Sequence, residues 1–155
     1  MNLVESITKL CLANVKEFTK LATIKLNDIE SVVRLKLAKQ FNILEFRDRA
    51  GIYLFCKKGH APWDSNAVVF YVGCTLKCVL MRITAHFKSF ENPDSKQEST
   101  ARSFAKFKVS TNQAFDIYFI DAETLGIENG MQAEAVEKMF QDIFNVVVRD
   151  TKHVK

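Results

Sequence analysis

The spacing of apolar residues at the start of the chain predicts two helices. Between residues 2 and 21 apolar side chains recur every three or four positions, as on one face of an amphipathic helix, at Leu3, Ile7, Leu10, Cys11, Val15 and Phe18. A second helix is predicted to begin at Asn27 or Asp28, either of which can cap it, and to continue to Phe41. We expect these helices to form an N-terminal helical extension over residues 1–45.

The pattern changes in the middle of the chain, where it predicts a β-hairpin. Two runs of aromatic and β-branched residues, 51–57 and 67–71, are joined by a polar loop that contains glycine and proline. Such runs, joined by a turn-rich loop, are typical of paired antiparallel strands. A helical pattern follows over residues 76–89.

The remaining segments complete an α+β fold. A polar insertion comes next, which we expect to be helical around residues 100–107. Residues 114–121 alternate between faces and predict a third strand, while residues 131–144 predict the last helix. The expected fold is therefore a small three-stranded antiparallel sheet flanked by helices, in a single domain 1–155 whose core spans residues 49–148.

Composition and charge limit the classes of function. The 155 residues are 48% apolar and 26% charged, as in an ordinary folded domain. No run approaches the ~18 apolar residues that a membrane span needs, and Glu5 and Lys9 interrupt the N-terminal residues where a signal peptide has its apolar centre. We therefore expect a cytoplasmic protein with reduced thiols and no membrane partner. The net charge of +4 permits binding to DNA without requiring it.

The helical extension has two interpretations. Solvated basic positions are common on amphipathic helices, so we expect the extension to cover one face of the sheet. The alternative, which stays open, is that it contacts DNA or mediates a homodimer through its basic residues, Lys9, Lys16, Lys20, Arg34, Lys36 and Lys39.

Tyrosines near glycines mark both strands of the predicted hairpin, and a basic helix face follows them. The first strand opens with Gly-Ile-Tyr at 51–53, and Tyr-Val-Gly stands at 71–73 at the end of the second. Arg82 and His86 lie four residues apart in the next predicted helix, which puts them on one face, one turn apart. In this order and spacing the residues resemble the GIY-YIG nuclease family, including its restriction and homing-type endonuclease domains.

The resemblance implies a site that hydrolyses phosphodiester bonds with one divalent metal ion, Mg²⁺ or Mn²⁺. It implies that Tyr53 is the general base or positions the attacking water, and that Arg82 neutralises the scissile phosphate. A free tyrosine has a pKa near ~10, so its phenolate needs the nearby arginine and metal to favour it. The resemblance gives Tyr71 the task of holding the water or a phosphate oxygen, and His86 that of relaying a proton. Two further positions match residues common in the family, Lys77 and Asn145.

The chain departs from the family at the metal-binding glutamate. In the family this residue lies on the last helix, with an apolar residue before it and apolar residues three and four positions after it. Gln132 fits that pattern, so we expect its side chain to face the sheet that carries the tyrosines. An amide lacks the charge that holds Mg²⁺. The site is then weakened, or it uses Glu137 or Glu134 instead, or the glutamine was introduced in place of a natural glutamate.

Three functions from different classes follow. The leading one is a metal-dependent DNA endonuclease, weakened or disarmed by Gln132 at the metal-ligand position. The alternative is a nucleic-acid-binding or interaction module that keeps the same fold and does not cleave. A third, a zinc-stabilised binding protein, depends on a loosely spaced C-x3-H…C-x3-C pattern of zinc-type ligands, Cys56, His60, Cys74 and Cys78.

Overall fold

One antiparallel sheet with helices packed on both faces makes up the described part of the chain. The computed structural model describes residues 2–25, 27–28, 49–79, 82–83, 99–110 and 112–146. The elements in chain order are α1 (Leu3–Asn14), β1 (Thr19–Ile24), β2 (Gly51–Lys57), β3 (Val69–Thr75), α2 (Ser99–Lys106), β4 (Phe115–Asp121) and α3 (Gly130–Ile143). Val79, Arg82 and Ile83 are helical as well. None of the helices in these residues has the length and apolar character to cross a membrane.

The N-terminal segment is α-helical as far as Asn14 and forms a 3-10 turn over Val15–Glu17, so the predicted helix over residues 2–21 is too long. Residues 19–24 form β1, which pairs antiparallel with β4, and the predicted helical extension thus contributes a strand to the sheet. The apolar stripe of the helix ends at Phe18, and the strand that follows contains three β-branched residues, which favour a pleated conformation. The second predicted helix lies almost entirely outside the described residues.

Within the described residues the sheet has four strands in the order β1-β4-β2-β3, where the sequence predicts three. The strand that the sequence does not predict is β1. β2 has the predicted bounds, whereas β3 continues to Thr75 instead of ending at Tyr71. Gly73 therefore lies inside a strand, directly opposite Tyr53. Because β3 is an edge strand, alternate backbone groups along it point away from β2.

α2, β4 and α3 confirm the sequence-based assignment. β4 and α3 each begin within one residue of the predicted start, and α2 lies where the insertion is expected to be helical. A local cause is visible for α3, because the Asn129 side chain caps its N-terminus by accepting from the Gln132 N–H at 3.0 Å. A side-chain oxygen at this position satisfies a backbone donor that the helix cannot.

Apolar side chains fill both faces of the sheet. On one face the Phe104 ring of α2 packs edge-on against Phe70 and Phe115, with ring centroids 4.8 and 5.3 Å apart. The opposite face packs against α1 and α3, and Phe140 of α3 is fully buried there. Edge-on aromatic pairs add about 0.5–1.5 kcal/mol beyond the area that they bury. With both faces covered, the outer edge of β3 is a place where side chains from the two sides can meet.

Candidate active site

The end of the Tyr53 side chain lies over Gly73 in the neighbouring strand. A Cβ atom added to Gly73 would be 2.5 Å from the Tyr53 Oη and 2.6 Å from its Cζ, closer than non-bonded atoms approach. At Gly51 an added Cβ would collide first with the backbone carbonyl oxygen of Ile120, and it would also lie 2.7 Å from the ring of Phe119. Each motif triplet thus needs its glycine for a close approach, of a ring at Gly73 and mainly of backbone at Gly51.

Tyr71 lies beside Tyr53 because the strands are in regular register there. Gly73 lies opposite Tyr53 and Tyr71 lies opposite Phe55, so the two tyrosines are diagonal neighbours on one face of the sheet. The ring centroids of Tyr53 and Tyr71 are 6.1 Å apart, with their planes at 30°. The two tyrosines predicted for the site are therefore neighbours.

Arg82 reaches the tyrosines from the helical segment that follows β3. Its backbone N–H donates to the Cys78 carbonyl at 3.2 Å, and the residue is exposed. Its guanidinium forms a hydrogen bond with the Tyr53 hydroxyl. A guanidinium carries five N–H donors in a planar fork, so a bond to one phenol is compatible with a bidentate bond to a phosphate.

Burial determines the protonation of Tyr53. The side chain is fully buried, and desolvation raises its pKa well above the usual value. Tyr71 raises this pKa further, whereas the opposing effect of Arg82 is smaller than that of desolvation. A general base must be able to lose its proton near neutral pH, and burial opposes that loss at Tyr53. Its contact with Arg82 favours a positioning role.

Glu137 brings a carboxylate to the same place from α3. It accepts hydrogen bonds from the thiol and the backbone N–H of Cys74, and its Oε1 accepts from the Gln141 Nε2 at 3.3 Å. Burial raises the pKa of Glu137 above its usual value, and the hydrogen bonds from Cys74 oppose this rise only in part. Arg82 lies within electrostatic reach of this carboxylate. A carboxylate, a guanidinium and a phenol from three elements thus meet at the edge of β3.

Gln132 does not face this site, which corrects the orientation expected from the sequence. Its side chain is exposed, and its Oε1 accepts from the Glu128 N–H at 2.7 Å. It borders an apolar groove that Leu3 and Ile7 of α1 also line. At ~100° per residue, Glu137 lies about 140° around the helix from Gln132. The apolar stripe used to choose Gln132 faces α1 as well as the sheet, so it selected the wrong side of α3.

Asn145 has a structural role at the end of α3. It adopts the left-handed conformation, with φ of 56°, and its N–H donates to the Asp142 carbonyl at 3.2 Å. The next N–H, from Val146, donates to the Gln141 carbonyl at 2.7 Å. This pair of bonds is a Schellman motif, which ends a helix and favours glycine or asparagine at the left-handed position.

The other predicted residues lie at the rim of the site or outside the described chain. Lys77 is exposed in the turn after β3, where its N–H donates to the Thr75 Oγ1 at 3.3 Å. Glu134 is exposed on α3, within electrostatic reach of Glu137. His86 lies outside the described residues.

The four zinc-type residues do not form a zinc site. Within the described ranges no three His, Cys, Asp or Glu side chains come together as a metal-binding group. The Cys56 thiol instead donates to the His60 carbonyl at 3.3 Å. The carboxylate oxygens beside β3 suit Mg²⁺ or Mn²⁺ better, because these ions take oxygen ligands and are often bound through one or two carboxylates plus water and phosphate. Glu137, with Glu134 nearby, supplies such carboxylates.

Two contacts of the site were not found from the sequence. The sequence predicts Cys74 only as a zinc-type ligand and predicts no role for Gln141. The available signals were local: Cys74 directly follows Gly73, and Gln141 is one helical turn beyond Glu137.

The chain was also compared with protein-family models, with curated proteins and with solved structures. None of the three comparisons gives a significant match. The interpretation of the site therefore depends on the contacts described above and on the motif residues.

Proposed function

We propose that this protein is a metal-dependent DNA endonuclease of the GIY-YIG type, which hydrolyses phosphodiester bonds at the edge of β3. The observation that carries the proposal is the convergence of Tyr53, Tyr71, Arg82 and Glu137 from four different parts of the chain. Hydrolysis of a phosphodiester needs positive charge at the non-bridging oxygens and an activated water. An exposed guanidinium beside a carboxylate that suits a divalent cation supports both requirements.

Arg82 binds the scissile phosphate in this proposal, and Tyr53 orients the Arg82 side chain. A guanidinium forms a bidentate pair with two phosphate oxygens, and this pair fixes the phosphate as well as neutralising it. The bond to the Tyr53 hydroxyl restricts the arginine side chain before the substrate arrives. Because Tyr53 is fully buried and Tyr71 keeps 9% of its surface exposed, Tyr71 is the tyrosine that contacts the water or a phosphate oxygen.

Glu137 holds the divalent cation. When bound, Mg²⁺ or Mn²⁺ supplies a Lewis acid that stabilises negative charge and increases the acidity of a coordinated water. The carboxylate has its position before any ion arrives, because donors from Cys74 and Gln141 hold it. In this assignment Glu137 replaces Gln132 as the metal ligand. The ligand is then a carboxylate, whose negative charge favours binding of the cation.

Nicking of supercoiled plasmid DNA in Mg²⁺ tests the proposal. Arg82→Ala is expected to slow nicking about 100- to 1,000-fold, as is typical when a donor to developing negative charge is removed. Arg82→Lys should restore little, because a point charge lacks the planar fork. The matched control is Arg49→Ala, which removes a second exposed arginine whose guanidinium is paired with Asp121. Arg82→Ala that nicks at the wild-type rate would contradict the assignment.

A further inference from the structure

We propose that Cys74 and Gln141 are positioning residues that hold the Glu137 carboxylate in place for its cation. The hydrogen bonds that carry this inference are present in the structure whatever the reaction is. The place of these residues in catalysis rests on the proposed function.

The edge of β3 explains why these residues lie where they do. Val72 and Cys74 are two positions apart in the strand, so their backbone groups point to the same side. The Gln141 Nε2 donates to the Val72 carbonyl at 3.3 Å, and the Cys74 N–H donates to Glu137. Side chains of α3 therefore satisfy backbone groups that an edge strand would otherwise leave exposed.

The same contacts fix the carboxylate. Gln141 donates to the Val72 carbonyl and also to the Glu137 Oε1, each at 3.3 Å, so one amide joins the strand to the glutamate. The thiol and backbone N–H of Cys74 add two further donors. A carboxylate has about four lone-pair sites, so three donors restrict its orientation and leave about one direction for a cation.

The alternation of β3 gives Cys74 its position. Gly73 faces Tyr53, and the side chain of Cys74 packs with the cluster on the opposite face, where α3 lies. On that face the Cys74 thiol donates a hydrogen bond to the Glu137 carboxylate. One dipeptide thus makes room for the phenol on one side and supports the carboxylate on the other.

Binding of Mn²⁺ to the full chain, followed by the electron paramagnetic resonance signal of free Mn²⁺, tests the inference without relying on cleavage. Cys74→Ala and Gln141→Met should each weaken Mn²⁺ binding about 10-fold, the lower end of what loss of a ligand's hydrogen-bond partner costs. Cys74→Ser keeps a donor and should bind like the wild type. Cys56→Ala is the matched control, because it removes another thiol donor from the same face of the sheet and should leave Mn²⁺ binding unchanged.

A spectroscopic measurement tests the hydrogen bond itself. The infrared S–H stretching band of Cys74, identified by its loss in Cys74→Ala, should move when Glu137→Gln replaces the carboxylate with an amide. If Cys74→Ala does not fold, Gln141→Met and Cys74→Ser carry the metal-binding test.

The outcomes separate this inference from the proposed function. Wild-type Mn²⁺ affinity in both Cys74→Ala and Gln141→Met would overturn the inference, even if the protein nicks DNA. An unmoved S–H band, or wild-type protein that binds no Mn²⁺ through Glu137, would overturn it as well. If Mn²⁺ binds through Glu137 and weakens as expected while plasmid DNA stays intact, the positioning role stands and the proposed nuclease function fails.

Discussion

Replacing Gly73 with alanine should destabilise the protein through the ring of Tyr53. The added Cβ would lie 2.5 Å from Oη and 2.6 Å from Cζ, so the end of the ring must retreat by about 1 Å to reach ordinary contact distance. The ring has little room to move, because Tyr71 and Phe55 pack beside it with centroids 6.1 and 6.0 Å away. Any rotation also disturbs its hydrogen bond with Arg82.

Two opposing terms set the magnitude. Overpacking of a filled core costs about 1–3 kcal/mol. Alanine restricts the unfolded chain more than glycine does, which offsets about 0.4–1 kcal/mol of that cost. The free energy of unfolding should therefore fall by about 1–2 kcal/mol, which lowers the Tm by about 2–8 °C in a chain of this length.

A double-mutant cycle followed by thermal unfolding tests this reasoning. Tyr53→Leu removes the ring atoms that meet the new Cβ, so Gly73→Ala should cost close to nothing in the Tyr53→Leu background. Gly130→Ala is the matched control, because its added Cβ lies at an ordinary 3.4 Å from the Leu76 Cδ1 and alanine favours a helix. An equal loss from Gly73→Ala in both backgrounds would show that the ring is not the cause.

Variants at three further positions are expected to separate structural from chemical roles. Asn145→Gly should keep wild-type stability and nicking, because glycine adopts the left-handed conformation of this position, with φ of 56°, without strain. Asn145→Ala should lower the free energy of unfolding in urea by about 1 kcal/mol. A stable glycine variant that does not nick would indicate a chemical role. Burial raises the pKa of Glu137 above the usual Glu value of 4.5, so the folded wild type loses stability as this carboxyl loses its proton with rising pH. In a chelating buffer, the Tm of Glu137→Gln minus that of the wild type should therefore increase as the pH rises above 4.5. A Tm difference between Glu137→Gln and the wild type that stays constant from about pH 4 to about pH 8 would contradict this account. Gln132→Glu should leave the nicking rate unchanged, and a large increase would restore Gln132 as the ligand position.

The elements predicted well are those whose pattern is local. β2 is a continuous apolar run with clear boundaries, α3 has strong helical periodicity, and both lie where the sequence places them. β1 was missed because its structure depends on a partner far along the chain, with Thr19 opposite Phe119. The apolar stripe that precedes β1 is helical, and its continuation into β1 could be recognised only from the pairing with β4.

The predicted site shows the same division. The tyrosines and Arg82 follow from a motif whose spacing fixes their neighbourhood, and the structure brings them together. The choice between Gln132 and Glu137 depended on which side of α3 faces the tyrosines. A helix that packs against both a sheet and another helix has apolar residues over a wide arc, so hydrophobic spacing alone cannot select the side. Cys74 and Gln141 depend on the outer edge of β3, and edge contacts have no periodic signal.

The most direct test of the central claim is metal-dependent nicking of supercoiled plasmid by the wild type, Glu137→Gln and Glu134→Gln, in Mg²⁺ and in Mn²⁺. We expect the wild type to nick DNA only with metal, and Glu137→Gln to be at least about 100-fold slower, because it removes the charged ligand of the catalytic ion. Glu134→Gln, an exposed neighbour on the same helix, should keep most of the activity. Wild-type protein that leaves the plasmid intact in both metals, or Glu137→Gln that nicks at the wild-type rate, would contradict the account.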